Sequence, residues 1–154
     1  MGPKKILLAE DDLDDQELFF DFLLKRQDID LLPIVDNGVA LVDYLSGIPD
    51  VQFFPDLIIL DQNMPLKNGI QTLQFLKTND RFSHIPVIIY STYTDERLIH
   101  TCSSLGASGV FVKPFTKEGY DNMINDFLKI IARISSTGCS NFLLDNVLLN
   151  SGIK

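Results

Sequence analysis

Leu57–Pro65 reads LIILDQNMP, four large apolar residues that run straight into Asp61, with a proline at position 65. A strand that only has to stop can do so with glycine, asparagine or serine. A carboxylate placed directly after so apolar a run raises the question of what else in the chain could meet it. The answer depends on the elements on either side.

Four more short apolar runs carry the same signature: KILLA (5–9), LLPIV (31–35), VIIY (87–90) and VFV (110–112). With LIIL they read as five strands, each close to continuously apolar, as strands covered on both faces must be. Between them apolar residues recur at helical spacing. Leu18, Phe19, Phe22 and Leu23 form one stripe, Leu41, Val42 and Leu45 a second, and Ile70, Leu73, Phe75 and Leu76 a weaker third. Ile99 and Cys102 mark a fourth helix, and Met123, Phe127, Ile130, Ile131 and Ile134 a fifth. Five β–α units in succession predict an α/β protein with helices on both faces of a parallel sheet. Right-handed crossovers make it doubly wound, and 2-1-3-4-5 is the leading strand order.

Open sheets of this kind bind ligands outside the carboxyl ends of their strands. Strand one ends in Glu10, Asp11 and Asp12; strand three in Asp61, with Asn63 beyond it. Strand four ends in Ser91 and Thr92, and strand five in Lys113 followed by Pro114. The predicted order brings these groups to one rim. Crowded carboxylates repel one another unless a cation intervenes. Hard oxygen donors suit Mg²⁺, which keeps positions for water and phosphate oxygens. An ionised aspartate there is also a nucleophile able to form an acyl phosphate, with lysine and hydroxyl groups to hold the phosphoryl oxygens. The charge that ends LIIL is thus read as a phosphoryl acceptor.

These residues resemble the receiver domain of bacterial two-component response regulators over about residues 5–134. The resemblance rests on LLAEDD, LIILDQNMPLKNG, IPVIIYST and GASGVFVKPF, in this order and at receiver-like spacing. The extra stretch SGIPDVQFFPD (46–56) resembles the stand-alone receivers paired with bacterial phytochromes. That resemblance implies the flavodoxin-like receiver fold. It implies Asp61 as the phosphoacceptor, Asp11 as a direct Mg²⁺ ligand, Glu10 as a ligand through water, and Asn63 as a ligand through its backbone carbonyl. By the same likeness, Ser91 and Thr92 bind the phosphoryl group with Lys113, and a cis bond before Pro114 aims the lysine inward. The implied partner is a sensor histidine kinase, a phytochrome-type photoreceptor by the narrower match. The alternative role is a relay intermediate that hands the group to a histidine phosphotransfer protein. Val110 stands where many receivers carry an aromatic switch residue. Asn63 and Tyr93 flank the line of water attack, and Tyr93 is expected to shield the phosphoryl group.

Other readings fail on particular residues. A haloacid-dehalogenase-type phosphatase resembles DxD, with its second aspartate as general acid, and Asn63 stands at that position. An FMN binder of the same fold needs a phosphate loop after strand one, where EDDLDD would repel phosphate. The glycine and terminal glutamate of a calcium-binding EF-hand loop are missing. Asp14 or Asp15 is expected to cap the first helix, with Asp12 a surface charge. No role is assigned to His84 or His100.

Bulk composition agrees with this reading. The chain has 154 residues, 45% hydrophobic and 22% charged, with a net charge of −8 that disfavours nonspecific nucleic-acid binding. Cys102 and Cys139 form no metal or redox motif. No apolar run reaches membrane-spanning length, so a cytoplasmic protein that is not an enzyme in its own right is expected. Residues 1–134 are assigned to the receiver and 135–154 to a tail that breaks the helix at ISSTG. Phe142, Leu143, Leu144, Val147, Leu148 and Leu149 in that tail predict a short helix that docks on its own domain or on a second copy, giving a homodimer.

Overall fold

The computed structural model describes residues 2–137. The elements run β1 (Lys4–Ala9), α1 (Leu13–Leu23), β2 (Ile29–Leu31), α2 (Gly38–Ser46), β3 (Leu57–Asp61), α3 (Gly69–Thr78), β4 (Val87–Ser91), α4 (Glu96–Ser104), β5 (Gly109–Val112) and α5 (Lys117–Thr137). All five strands are parallel, in the order β2-β1-β3-β4-β5. This is the doubly wound, flavodoxin-like arrangement that the sequence predicts.

Successive side chains of a strand point to opposite faces, and here both faces are buried. Leu7, Ile58, Leu60, Val87, Ile89 and Val110 pack with α2, α3 and α4. Ile6, Leu8, Leu57, Ile59, Ile88, Tyr90 and Phe111 pack with α1 and α5. Every residue of β3 and β4 is buried, which leaves only their ends free to act.

Three local findings differ from the sequence reading. The second strand is shorter and earlier than LLPIV. Regular pairing ends at Leu31. Leu32 N–H still donates to the Ile6 carbonyl at 2.9 Å, but the next donor to β1 is Val35 and not Ile34, so the chain around Pro33 carries one residue too many for the ladder. The chain rejoins β1 only at Val35, whose N–H donates to the Leu8 carbonyl and whose carbonyl accepts from Glu10 N–H. The first helix is capped by Asp12, not by Asp14 or Asp15, because the Asp12 carboxylate accepts from Asp15 N–H at 3.0 Å. Finally, α5 continues through Ser135, Ser136 and Thr137, three residues assigned to the tail. The docking helix expected after Ser140 lies outside the described residues.

The stretch before β3 is tied to the opposite end of the sheet from the rim. Asp56 accepts from Lys5 N–H at 2.8 Å and returns its own N–H to the Lys5 carbonyl at 2.8 Å. Phe54 is buried, the Arg81 guanidinium lies over its ring and that of Phe82, and Arg81 also donates to the Ile48 carbonyl. Among the described residues, no helix is long and apolar enough to cross a membrane.

At the rim, α2 and α3 start almost in contact. A Cβ on Gly38 would stand 1.9 Å from Thr72 Oγ1 and 2.8 Å from the Lys67 carbonyl oxygen. At Gly47 the nearest atom would be 3.5 Å away, and the backbone is right-handed helical. Gly38→Ala should therefore cost about 1–3 kcal/mol through overpacking. Gly47→Ala should be neutral or add about 0.4–1 kcal/mol through the unfolded chain. Urea unfolding of both variants checks this; equal effects would show that the α2–α3 approach is not tight.

Candidate functional site

Strand register assembles the rim. Ala9 pairs with Leu60, so Glu10 comes to stand beside Asp61. Asp61 pairs with Tyr90, and Ser91 with Val112, which brings Ser91 and Lys113 into the same row. Backbone bonds fix the ends, with Lys113 N–H donating to the Ser91 carbonyl at 2.8 Å and Gln62 N–H to the Tyr90 carbonyl at 3.2 Å. Behind Asp61 the chain turns at Leu66, whose φ of 67° is left-handed, and Gly69 N–H then closes the loop on the Gln62 carbonyl.

The centre of the site is an ion cluster. Lys113 Nζ lies 2.8 Å from Glu10 Oε1, 2.8 Å from Asp15 Oδ2 and 3.3 Å from Asp61 Oδ1. Glu10 is 0% exposed and Asp61 3%. Two more donors hold Glu10: Tyr90 O–H reaches Oε1 at 2.8 Å, and Asp12 N–H reaches Oε2 at 3.1 Å. Beneath the ammonium, the Tyr90 ring centroid is 4.8 Å from Nζ. Asn63 N–H donates to Asp61 Oδ1 at 3.4 Å.

Electrostatics follow from burial. The Asp61 carboxyl is pushed up to about 7 by burial, then by its hydrogen bond to Glu10 and the Glu10 charge; Lys113 opposes this. Burial on its own would lower the Lys113 ammonium, but hydrogen bonds to Asp15 and Glu10 and the charges of Glu10 and Asp61 raise it overall. Burial and the Glu10 charge likewise drive Tyr90 far above the usual phenol range, so it remains a donor.

The donor set fits a divalent cation. Carboxylate oxygens of Glu10, Asp11 and Asp61 lie within 4.8 Å of one another, and Asp11 is exposed where Glu10 and Asp61 are buried. Hard oxygens on a half-open rim suit an ion that keeps part of its water.

The other expected residues are distributed around this centre. Ser91 is buried, while Thr92 and Asn63 are exposed. The Lys113–Pro114 bond is trans, since the described residues contain no cis peptide. Trans is the intrinsically favoured X-Pro form, and the flexible lysine stem reaches all three carboxylates without the cis bond. Tyr93 is 70% exposed, so its ring stands in solvent instead of over Asp61; its N–H turns inward to Ser91 Oγ at 3.4 Å. Val110 is fully buried on the α2–α4 face with Ile99 and Cys102. Sequence reasoning missed two members of the cluster. Asp15 is exposed only in part because it pairs with Lys113, and Tyr90 ends an apolar strand with a hydroxyl as LIIL ends with a carboxylate.

An open parallel sheet with three acids, a hydroxyl and a lysine at its carboxyl rim defines a class of aspartate-centred, metal-dependent phosphoryl sites. Residues 6–125 match the response regulator receiver domain, and the chain belongs to that family of two-component phosphoacceptors. A protein-glutamate methylesterase/protein-glutamine glutaminase of Clostridium acetobutylicum is 30% identical over 129 residues, 82% of this chain and 35% of that protein. Response regulator Rcp1 of Synechocystis sp. is 37% identical over 97 residues, 61% of this chain and 65% of Rcp1. The aligned segments thus span less than two thirds of these relatives. In structure, the Mn²⁺-bound form of Rcp1 superposes with TM-score 0.64 and 27% identity over 92% of this chain and 98% of its own. The bacteriophytochrome response regulator AtBRR does so with TM-score 0.67 and 27% identity, over 94% and 99%. Rcp1 and AtBRR are thus among the receivers this chain is similar to, and receivers bind a divalent metal.

The raised Asp61 carboxyl sets a pH dependence. A folded-state value above the ordinary 3.8 means that the folded chain binds more protons than the unfolded chain between about pH 4 and 7. Stability should therefore fall as pH rises through that window, and the penalty should stay constant above it. In EDTA, Asp61→Asn should melt higher than the parent at pH 8, and the gap should close towards pH 4. A gap of equal size at both pH values would overturn this account of Asp61.

Proposed function

We propose that the chain is a stand-alone response regulator that takes a phosphoryl group from a sensor histidine kinase onto Asp61 and signals by protein–protein contact. The observation that carries this reading is the convergence of the Glu10, Asp11 and Asp61 oxygens within 4.8 Å, with Lys113 among them. One Asp61 oxygen attacks phosphorus and forms a P–O bond. The P–N bond to the kinase imidazole breaks, and its electron pair stays on the departing nitrogen. Lys113, Ser91 and Thr92 hydrogen-bond the phosphoryl oxygens. Asp11 would hold Mg²⁺ directly, Glu10 through water and Asn63 through its backbone carbonyl. When bound, the ion offsets the charge that gathers between carboxylate and phosphoryl oxygens. Likeness to Rcp1 and to a bacteriophytochrome response regulator favours a phytochrome-type kinase as the donor.

Acetyl phosphate with Mg²⁺ should label the protein once, on Asp61, as read by intact mass and by peptide mapping. Asp61→Asn should abolish labelling, EDTA should stop it, and Asp11→Asn should raise the Mg²⁺ needed about tenfold or more. Full labelling of Asp61→Asn would sink the assignment.

A further inference from the structure

Glu10 is the most deeply buried acid of the rim, and three donors hold its two oxygens. Two of them, Tyr90 O–H and Lys113 Nζ, share Oε1, each at 2.8 Å. Lys113 Nζ donates to Glu10 and to Asp15 at 2.8 Å each and pairs with Asp61 at 3.3 Å. A phosphoryl group on Asp61 competes for the ammonium with both Glu10 and Asp15. Asp15 lies partly in water, which can replace the lysine there. The Glu10 side chain is 0% exposed, so bulk water does not do the same for it. A buried carboxylate oxygen left without a donor is costly. The Tyr90 hydroxyl is the group already in position to prevent that.

We infer that Tyr90 is a positioning residue of the phosphoacceptor site, holding Glu10 in place and remaining its partner when Lys113 turns to the phosphoryl group. This rests on the assignment of Asp61 and Lys113 proposed above. The hydroxyl is well placed for the task. Register sets Tyr90 opposite Asp61 across β3 and β4. The ring is packed edge-on against Phe19, with centroids 6.0 Å apart, so the O–H has little freedom to leave. Its face supports the ammonium from below. Apolar packing of a strand residue explains the ring alone. It does not explain a phenol that spends its only proton on the most buried acid of the site.

Tyr90→Phe removes the O–H and keeps the ring, its contact with Phe19 and its face beneath Lys113. Three measurements on the full chain test the inference. Titration calorimetry with Mg²⁺ alone should show affinity lower by roughly threefold, because Glu10 loses one of its three anchors. At saturating Mg²⁺, the labelling rate with acetyl phosphate should fall about tenfold, because Lys113 is then retained by Glu10. In a Lys113→Met background the same substitution should leave the rate unchanged, since no lysine remains to be released; coupling of this kind is what a double-mutant cycle isolates. A parental rate in Tyr90→Phe at saturating Mg²⁺ would overturn the inference, as would equal rate losses with and without Lys113. Failure of the wild-type protein to label on Asp61 would instead overturn the underlying assignment, so the two failures are distinct.

Discussion

The Lys113 ammonium among Glu10, Asp15 and Asp61 is the contact on which the rim depends. Two of those acids are almost wholly buried at the end of an apolar sheet, where like charges repel strongly. One cation does not neutralise three carboxylates, and burial together with the Glu10 charge holds the Asp61 carboxyl above its usual range. The bare site is therefore electrostatically unsatisfied in a defined direction. It favours whatever brings positive charge to Asp11 and Asp61, and a divalent ion does so at the open side of the cluster.

Much of this was readable in the sequence, because strands buried on both faces keep their polar groups for their ends. Listing those ends retrieves Glu10, Asp11, Asp61, Ser91 and Lys113 without any coordinates. What escaped was of another kind. Asp12, Asp14 and Asp15 are equally plausible caps by composition. Only the geometry of α1 gives the cap to Asp12 and frees Asp15 for a lysine 98 residues away. Tyr90 read as one more apolar strand residue, although its hydroxyl carried the same signal as Asp61. The cis bond at Pro114 came from resemblance alone, with no local physics to require it. The strand assigned to LLPIV overlooked the slip in register between Leu32 and Val35, which the apolar run alone does not reveal.

Val110 bears on how a change at the rim reaches a docking surface. The side chain is sealed against Ile99 and Cys102 of α4, with no ring at this position to rotate between inside and outside. Ser91 and the start of α4 are joined by a short loop whose cap is Asp95. Displacement of that loop would act on α4 through close packing of small aliphatic groups. Packed cores of this kind respond by shifting as units.

The length of α5 has a practical side. The helix starts beside the rim at Lys117 and runs 21 residues, about 30 Å at 1.5 Å per residue. By Ile131, Ile134 and Ser135 it borders the hollow formed by Val51, Pro55 and Pro86, at the far pole of the sheet. A fluorophore, affinity handle or surface tether placed on exposed Ser135 or Ser136 would thus sit on the side turned away from Asp61. Immobilised or labelled in that way, the molecule would present its acidic rim outward, open to kinase, metal and small phosphodonors alike.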